Sequence, residues 1–277
     1  MDLFDTNTTF ERQLFAKAAR NRIPLYGVLE LLPLCNLNCD MCYVHLSKQE
    51  MQSQGRLRSL DEWISLAKQM KDAGTLFLLL TGGEPLLFPQ FKELYCVLKD
   101  MGMILTLNTN GTLINEEWAE FFAKNKPRRI NITLYGSKNE TYENLCHMKD
   151  GFDKTIRGIE LLKKYKIDVK INGSLVKKNF RDRMEIIDIG EKYDIPVRID
   201  TYMYPSVRER TTPFNFQERL KPEDAAKARV EILHREMGDE LFEQYAEADY
   251  LSGRTYRRRR CLSWAYDMSG WAEFVCC

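Results

Sequence analysis

Residues 26–43 read Tyr26-Gly-Val-Leu-Glu-Leu-Leu-Pro-Leu-Cys35-Asn-Leu-Asn-Cys39-Asp-Met-Cys42-Tyr43. The run from Tyr26 to Leu32 is apolar and β-type, and Pro33 breaks it into a loop that carries three thiols. Outward from this stretch the same unit recurs. Further runs at Leu76–Leu80, Met103–Leu107, Arg129–Leu134, Val169–Leu175 and Val197–Thr201 are rich in Ile, Leu and Val, as strands covered on both faces should be. Helical periodicity fills the gaps, so the chain from Ile23 to Thr201 is expected to be a βα repeat with six parallel strands. Such a repeat makes either an open doubly wound sheet or a barrel, and in both the loops after the strand carboxyl ends hold the site.

The helices carry start signals with a physical cause. Ser59-Leu-Asp-Glu62 is a capping box, ahead of an inward stripe of Leu60, Trp63, Ile64, Ala67 and Met70. Pro89 precedes a second helix with Phe91, Leu94, Tyr95 and Leu98 inward, and Asn115 opens a third that stops before Pro127. Phe152, Ile156, Ile159 and Leu162 space a fourth, and Met184 with Ile187 a fifth. Farther on, Pro222 starts a helix with Ala226, Val230, Leu233 and Met237 as its apolar positions and Gly238 as its stop. Residues 1–205 are therefore expected to form a core unit with an N-terminal extension, and residues 206–277 a helical appendage and tail.

The 277 residues are 44% hydrophobic and 29% charged, a globular composition long enough for one barrel or one large α/β unit. Forty-one Lys and Arg stand against forty Asp and Glu, so no bulk field recruits nucleic acid or an anionic membrane. The apolar runs are too short to span a bilayer, and the polar opening residues are unlike a secretory signal. A cytoplasmic protein is expected, in which the eight cysteines are reduced thiols available to a metal.

Cys35, Cys39 and Cys42 follow a Cys-x-x-x-Cys-x-x-Cys spacing on the loop after the first strand. Three soft thiolates in one loop can grip three irons of a 4Fe-4S cluster and leave the fourth iron an open coordination position. The alternative is a structural zinc site, which closes with four protein ligands, and His45 could supply the fourth. At the end of the second strand stands Thr81-Gly82-Gly83-Glu84-Pro85. Its glycines let a ligand approach the backbone, and its carboxylate can accept hydrogen bonds from an ammonium group.

With these two motifs the chain, over about residues 24 to 205, resembles the radical S-adenosylmethionine (radical SAM) enzymes. The resemblance implies a partial six-stranded (β/α) TIM-like barrel, an α/β fold, with a short helical C-terminal appendage. It also implies that Cys35, Cys39 and Cys42 hold the catalytic 4Fe-4S cluster, whose unligated iron chelates the methionyl group of S-adenosylmethionine. Gly82, Gly83 and Glu84 would bind the methionyl amino group. Tyr43, Asn110 and Thr133 fall on further cofactor-contacting positions, and Val176 would lie beside the adenine. The residue before the last cysteine, usually aromatic in the family, is Met41 here. Reductive cleavage of the sulfonium would yield methionine and a 5′-deoxyadenosyl radical that abstracts hydrogen from a substrate.

The Leu-Tyr-Gly-Ser and Gly-Phe-Asp-Lys segments resemble those of enzymes that modify ribosomally made peptides or protein side chains. A peptide or protein substrate is therefore expected, with an electron donor such as flavodoxin or ferredoxin. Radical modification of a small metabolite, or a non-catalytic relative that only binds a peptide, are the alternatives. Tyr135, Asp200, Tyr202 and Tyr204 stand at strand ends where a substrate could meet the radical. Cys261, Gly270 and Cys276 resemble the opening of the SPASM extension of such maturases, but too few thiols follow to hold a second cubane, so one cluster is expected. Arg254 and Arg257 to Arg260 form a basic run that could clamp an acidic leader peptide or simply be solvated.

Overall fold

The computed structural model describes residues 9–203 and 217–244. Six parallel strands pair strictly in chain order: β1 (Tyr26–Glu30), β2 (Phe77–Thr81), β3 (Ile104–Thr109), β4 (Arg129–Thr133), β5 (Val169–Ser174) and β6 (Val197–Asp200). A doubly wound sheet reverses its strand order at a switch point, and this one never does. Crossovers of one hand that always advance in the same direction put every helix on one side and curl the sheet. The fold is α/β, an open barrel whose two edges are β1 and β6.

Nine helices surround the strands among the described residues: α1 (Thr9–Arg20), α2 (Lys48–Gln54), α3 (Leu60–Asp72), α4 (Phe91–Asp100), α5 (Glu116–Lys124), α6 (Asn139–Cys146), α7 (Gly151–Lys164), α8 (Arg183–Tyr193) and α9 (Pro222–Met237). Helix α3 has the capping box expected of it: Ser59 Oγ accepts from Glu62 N, and Glu62 accepts from Ser59 N at 2.7 Å. Asn115 caps α5 by accepting from Trp118 N at 3.0 Å. The four apolar positions expected of α4 are all buried, and its Phe91 and Tyr95 pack rings against Trp118, Phe121 and Phe122 of α5. Helices α1 and α2 add to those the sequence predicts. Phe15 of α1 stacks on Phe77 at 5.2 Å and packs with Leu25 and Ile104, so this helix closes the amino end of the barrel.

Two expectations are corrected. The apolar runs predict strands covered on both faces, yet in β3, β4 and β5 buried and half-buried residues alternate. Ile130, Ile132, Val169 and Ile171 face the helices, while the other face is polar because it lines an open barrel. In α9 the inward residues are Ala225, Ala228 and Ile232, and Val230 is 52% exposed. Two apolar stripes share this helix, and the one at Ala225, Ala228 and Ile232 packs inward, while Arg183 binds Glu231 and Arg235 binds Asp188 and Glu191 to join α9 to α8.

Near the end of α9, Glu236 has a buried Oε2 without a hydrogen-bond donor among the described residues, and burial raises its pKa to about 7. In the unfolded chain it ionises near its ordinary 4.5, so stability is lost as pH climbs from there through 7. Glu236→Gln is expected to match the wild-type Tm at pH 4 and exceed it at pH 8. Equal midpoints at both values would show that the carboxyl is solvated.

Candidate functional site

The loops after β1 and β2 are zipped together by their backbones. Leu31 N donates to Thr81 O at 2.9 Å, Gly83 N to Leu32 O at 2.7 Å, and Glu84 N to Leu34 O at 2.9 Å. A Cβ on Gly82 would lie 2.6 Å from Leu32 O, and one on Gly83 2.3 Å from Leu34 O. What approaches these glycines is therefore the neighbouring strand end, which holds the cysteine loop at a fixed height.

Glu84 is fully buried. Its carboxylate accepts from Thr109 Oγ1 at 2.8 and 2.9 Å, from Asn110 N at 2.9 Å and from Leu86 N at 3.1 Å. Burial pushes its pKa up to about 7 against the pull of these donors. The side chain thus ties the loop after β2 to the loop after β3. Asn110 continues the network, donating from Nδ2 to Asn36 Oδ1 at 3.0 Å and to Cys35 Sγ at 3.7 Å. Asn36 donates in turn to Thr112 Oγ1 at 2.8 Å.

Cys35, Cys39 and Cys42 are half-buried. Leu37 N donates to Cys35 Sγ at 3.4 Å and His45 N to Cys42 Sγ at 3.2 Å, so backbone dipoles already point at two of the sulfurs. Burial pushes the Cys35 thiol up to about 12. The Cys39 thiol is also raised, by hydrogen-bond contact with Cys146 and by burial, with the Tyr135 hydroxyl pulling the other way. Ligation by iron takes the place of the thiol proton in such a site. Among the described residues no three His, Cys, Asp or Glu side chains are gathered to hold a single metal ion. The donor set, three thiols on one short loop with N–H groups aimed at sulfur, fits a thiolate-held iron-sulfur cluster, in which each sulfur takes its own iron.

A second support comes from α6. The last carbonyls of a helix lack internal partners. Here Cys146 O accepts from Asn38 N, and Leu145 O from Asp40 N, both at 3.1 Å. Asp40 binds His147 Nε2 at 2.8 Å and the Lys178 ammonium, which also donates to Asn144 O at 3.2 Å. Burial works against it, yet these two partners hold the Asp40 carboxyl below its ordinary range. No local pattern announces this clamp, since its parts lie up to 138 residues apart. Asp40→Ala is expected to speed amide exchange at Asn38 and Asp40 and to lower the iron retained after reconstitution. Unchanged exchange at both amides would show that the clamp does not hold the loop.

Of the other expected contacts, Thr133 ends β4 on the polar face, half-buried, and Tyr43 follows Cys42 at 54% exposure. Val176 is fully buried and donates its N–H to Asn179 Oδ1 at 2.8 Å. Asn179, which the sequence reading missed, also donates to Tyr135 O and Ser174 O, joining the loops after β4 and β5. Asp200 ends β6 and Tyr202 is exposed beyond it. Tyr204, Arg254, Arg257 to Arg260, Cys261, Gly270, Cys276 and Cys277 lie outside the described residues. Cys146 is buried, while Cys96 on α4 is half-buried. No described helix is long and apolar enough to cross a membrane.

A cysteine loop clasped by a Gly-Gly-Glu turn, at the carboxyl end of six parallel strands, defines a cofactor-dependent α/β-barrel class. A sequence profile of the Radical SAM superfamily matches residues 29–203, and the chain belongs to that superfamily. The family uses a 4Fe-4S cluster and S-adenosylmethionine. The chain is 30% identical to the AdoMet-dependent heme synthase of Methanosarcina barkeri, over 63% of this chain and 49% of that protein. It is also 30% identical to the subtilosin biosynthesis protein AlbA of Bacillus subtilis, over 61% of this chain and 37% of AlbA. It spans about half the length, or less, of these relatives. Streptococcus suis SuiB, solved with S-adenosylmethionine, shares the fold at TM-score 0.63 and 19% identity, covering 79% of this chain and 50% of SuiB.

Proposed function

We propose that the protein cleaves S-adenosylmethionine at a 4Fe-4S cluster held by Cys35, Cys39 and Cys42, and modifies a ribosomally made peptide or a protein side chain. The observation that carries this reading is the three-thiol loop fixed by the Gly82–Gly83 turn, by Asn110 and by the end of α6. When bound, the cluster and S-adenosylmethionine supply a 5′-deoxyadenosyl radical able to take hydrogen from an unactivated carbon. The chain's own residues have three tasks. Asn110, Leu37 N and His45 N bear on the cysteine sulfurs through hydrogen bonds. Glu84 keeps the three neighbouring loops in register without offering its carboxylate to solvent. Thr133, Asn172 and Ser174 line the inner face beneath the loops, where a substrate carbon would be oriented.

The peptide reading draws on AlbA, named for bacteriocin biosynthesis, and on SuiB, solved with its precursor peptide SuiA. Likeness to the heme synthase favours the second reading, a small-molecule substrate. Anaerobic incubation with dithionite, S-adenosylmethionine and small peptides encoded beside the gene, followed by mass analysis, separates them. 5′-Deoxyadenosine together with a mass change in a peptide supports the proposal. Deoxyadenosine with unaltered peptides favours a small molecule, and none at all overturns both.

A further inference from the structure

The inner face of the sheet holds a group of charges beneath the cysteine loop that none of the roles above uses. Register sets Arg129 on β4 in line with Asp168 just before β5, Asn131 beside Lys170, Asn172 beside Arg198, and Ser174 beside Asp200. These residues alternate with Ile130, Val169, Ile171 and Ile199, which face the helices, so they share the barrel side. Arg129 pairs with Asp168 at 2.8 Å and Arg198 with Asp200 at 3.3 Å. Lys170 lies between the two guanidinium groups, half-buried, and its Nζ has no hydrogen-bond or ion-pair acceptor among the described residues. Burial and the two arginines push the Lys170 ammonium down to about 8, a penalty that a bound anion would remove.

We propose that Lys170, flanked by Arg198 and Arg129, forms an anion subsite that binds a carboxylate carried by the substrate. The inference rests on the radical SAM reading above and narrows its substrate to one with an acidic group. A carboxylate suits the place because it would give the Lys170 ammonium an acceptor, because guanidinium forks match its two oxygens, and because the Asn172 amide stands alongside. Seated there, one row below Thr133, it would direct the carbon that bears it toward the cysteine loop.

The test is amine acylation of the full-length protein at pH 8, with Lys170 modification read by peptide mass mapping. The probes are glutarate, glutaramide, S-adenosylmethionine, and two synthetic peptides identical except for Glu in one and Gln in the other. Glutarate and the Glu peptide are expected to protect Lys170, and their amide counterparts are not. Lys170→Met and Arg198→Gln should each weaken the Glu peptide about tenfold while leaving S-adenosylmethionine affinity unchanged. Protection by glutarate but by neither peptide keeps the subsite and removes the peptide reading. If neither carboxylate protects, the inference is overturned. Protection by S-adenosylmethionine alone, with its affinity lost in Lys170→Met, also overturns it, because the cations would then serve the methionyl carboxylate. The labelling arm uses wild-type protein and stands even if a variant fails to fold.

Discussion

Replacing Cys35, Cys39 and Cys42 together by Ala is expected to abolish iron and sulfide incorporation while leaving the barrel folded. The three side chains are half-buried at the rim, and the loop that carries them is fixed by backbone bonds that Ala preserves: Leu31 N to Thr81 O, Gly83 N to Leu32 O, Asn38 N to Cys146 O and Asp40 N to Leu145 O. Stability should therefore fall by only about 1 kcal/mol per site, the scale of a small truncation with little cavity. Cleavage of S-adenosylmethionine should drop by about 1000-fold or more, at least ~4 kcal/mol in barrier. Cys96→Ala, on the outer helix α4, should keep its iron. Cys146→Ala is the sharper control, because Cys146 touches Cys39 and yet stands outside the proposed ligand set. Full iron in the triple variant, or none in Cys146→Ala, would reassign the ligands.

Glu84→Ala is expected to cost more folding stability than any cysteine change. The substitution leaves the Thr109 hydroxyl and the N–H groups of Asn110 and Leu86 without their acceptor in a dry interior. Each orphaned buried donor costs about 1–3 kcal/mol, so the three together give a loss of about 3–9 kcal/mol. That is a large share of the ~5–15 kcal/mol that holds a typical domain together. Glu84→Gln keeps the shape and one acceptor oxygen and should lose about half as much. Urea denaturation of both variants measures this. A loss below about 1 kcal/mol for Glu84→Ala would mean that water reaches the carboxylate and that it does not join the loops.

Much of the barrel was legible because its signals are local. Ser59 and Glu62 are three residues apart, Asn115 caps the helix that starts beside it, and each strand is a short apolar run between turn residues. The cysteine spacing and the Gly82-Gly83-Glu84 turn are equally compact, and they sit on the strand ends expected of them. Legibility failed where two apolar stripes compete on one helix. Helix α9 buries Ala225, Ala228 and Ile232 and leaves Val230 exposed. Helix α2 escaped too, because its seven residues are too few for periodicity to stand out.

The order of strands and helices along the chain and the identity of the thiol loop were written in the sequence, since each depends on neighbours within a turn or two, whereas the direction of each crossover was decided by the strand order. Tertiary structure alone assigned Glu84 to its three donors, set Asp40 between His147 and Lys178, and lined up Arg129, Lys170 and Arg198 on one face. Those arrangements join residues tens of positions apart. They arise from strand register and packing, which no local pattern encodes, because a shift of one residue in register would turn every such side chain to the opposite face.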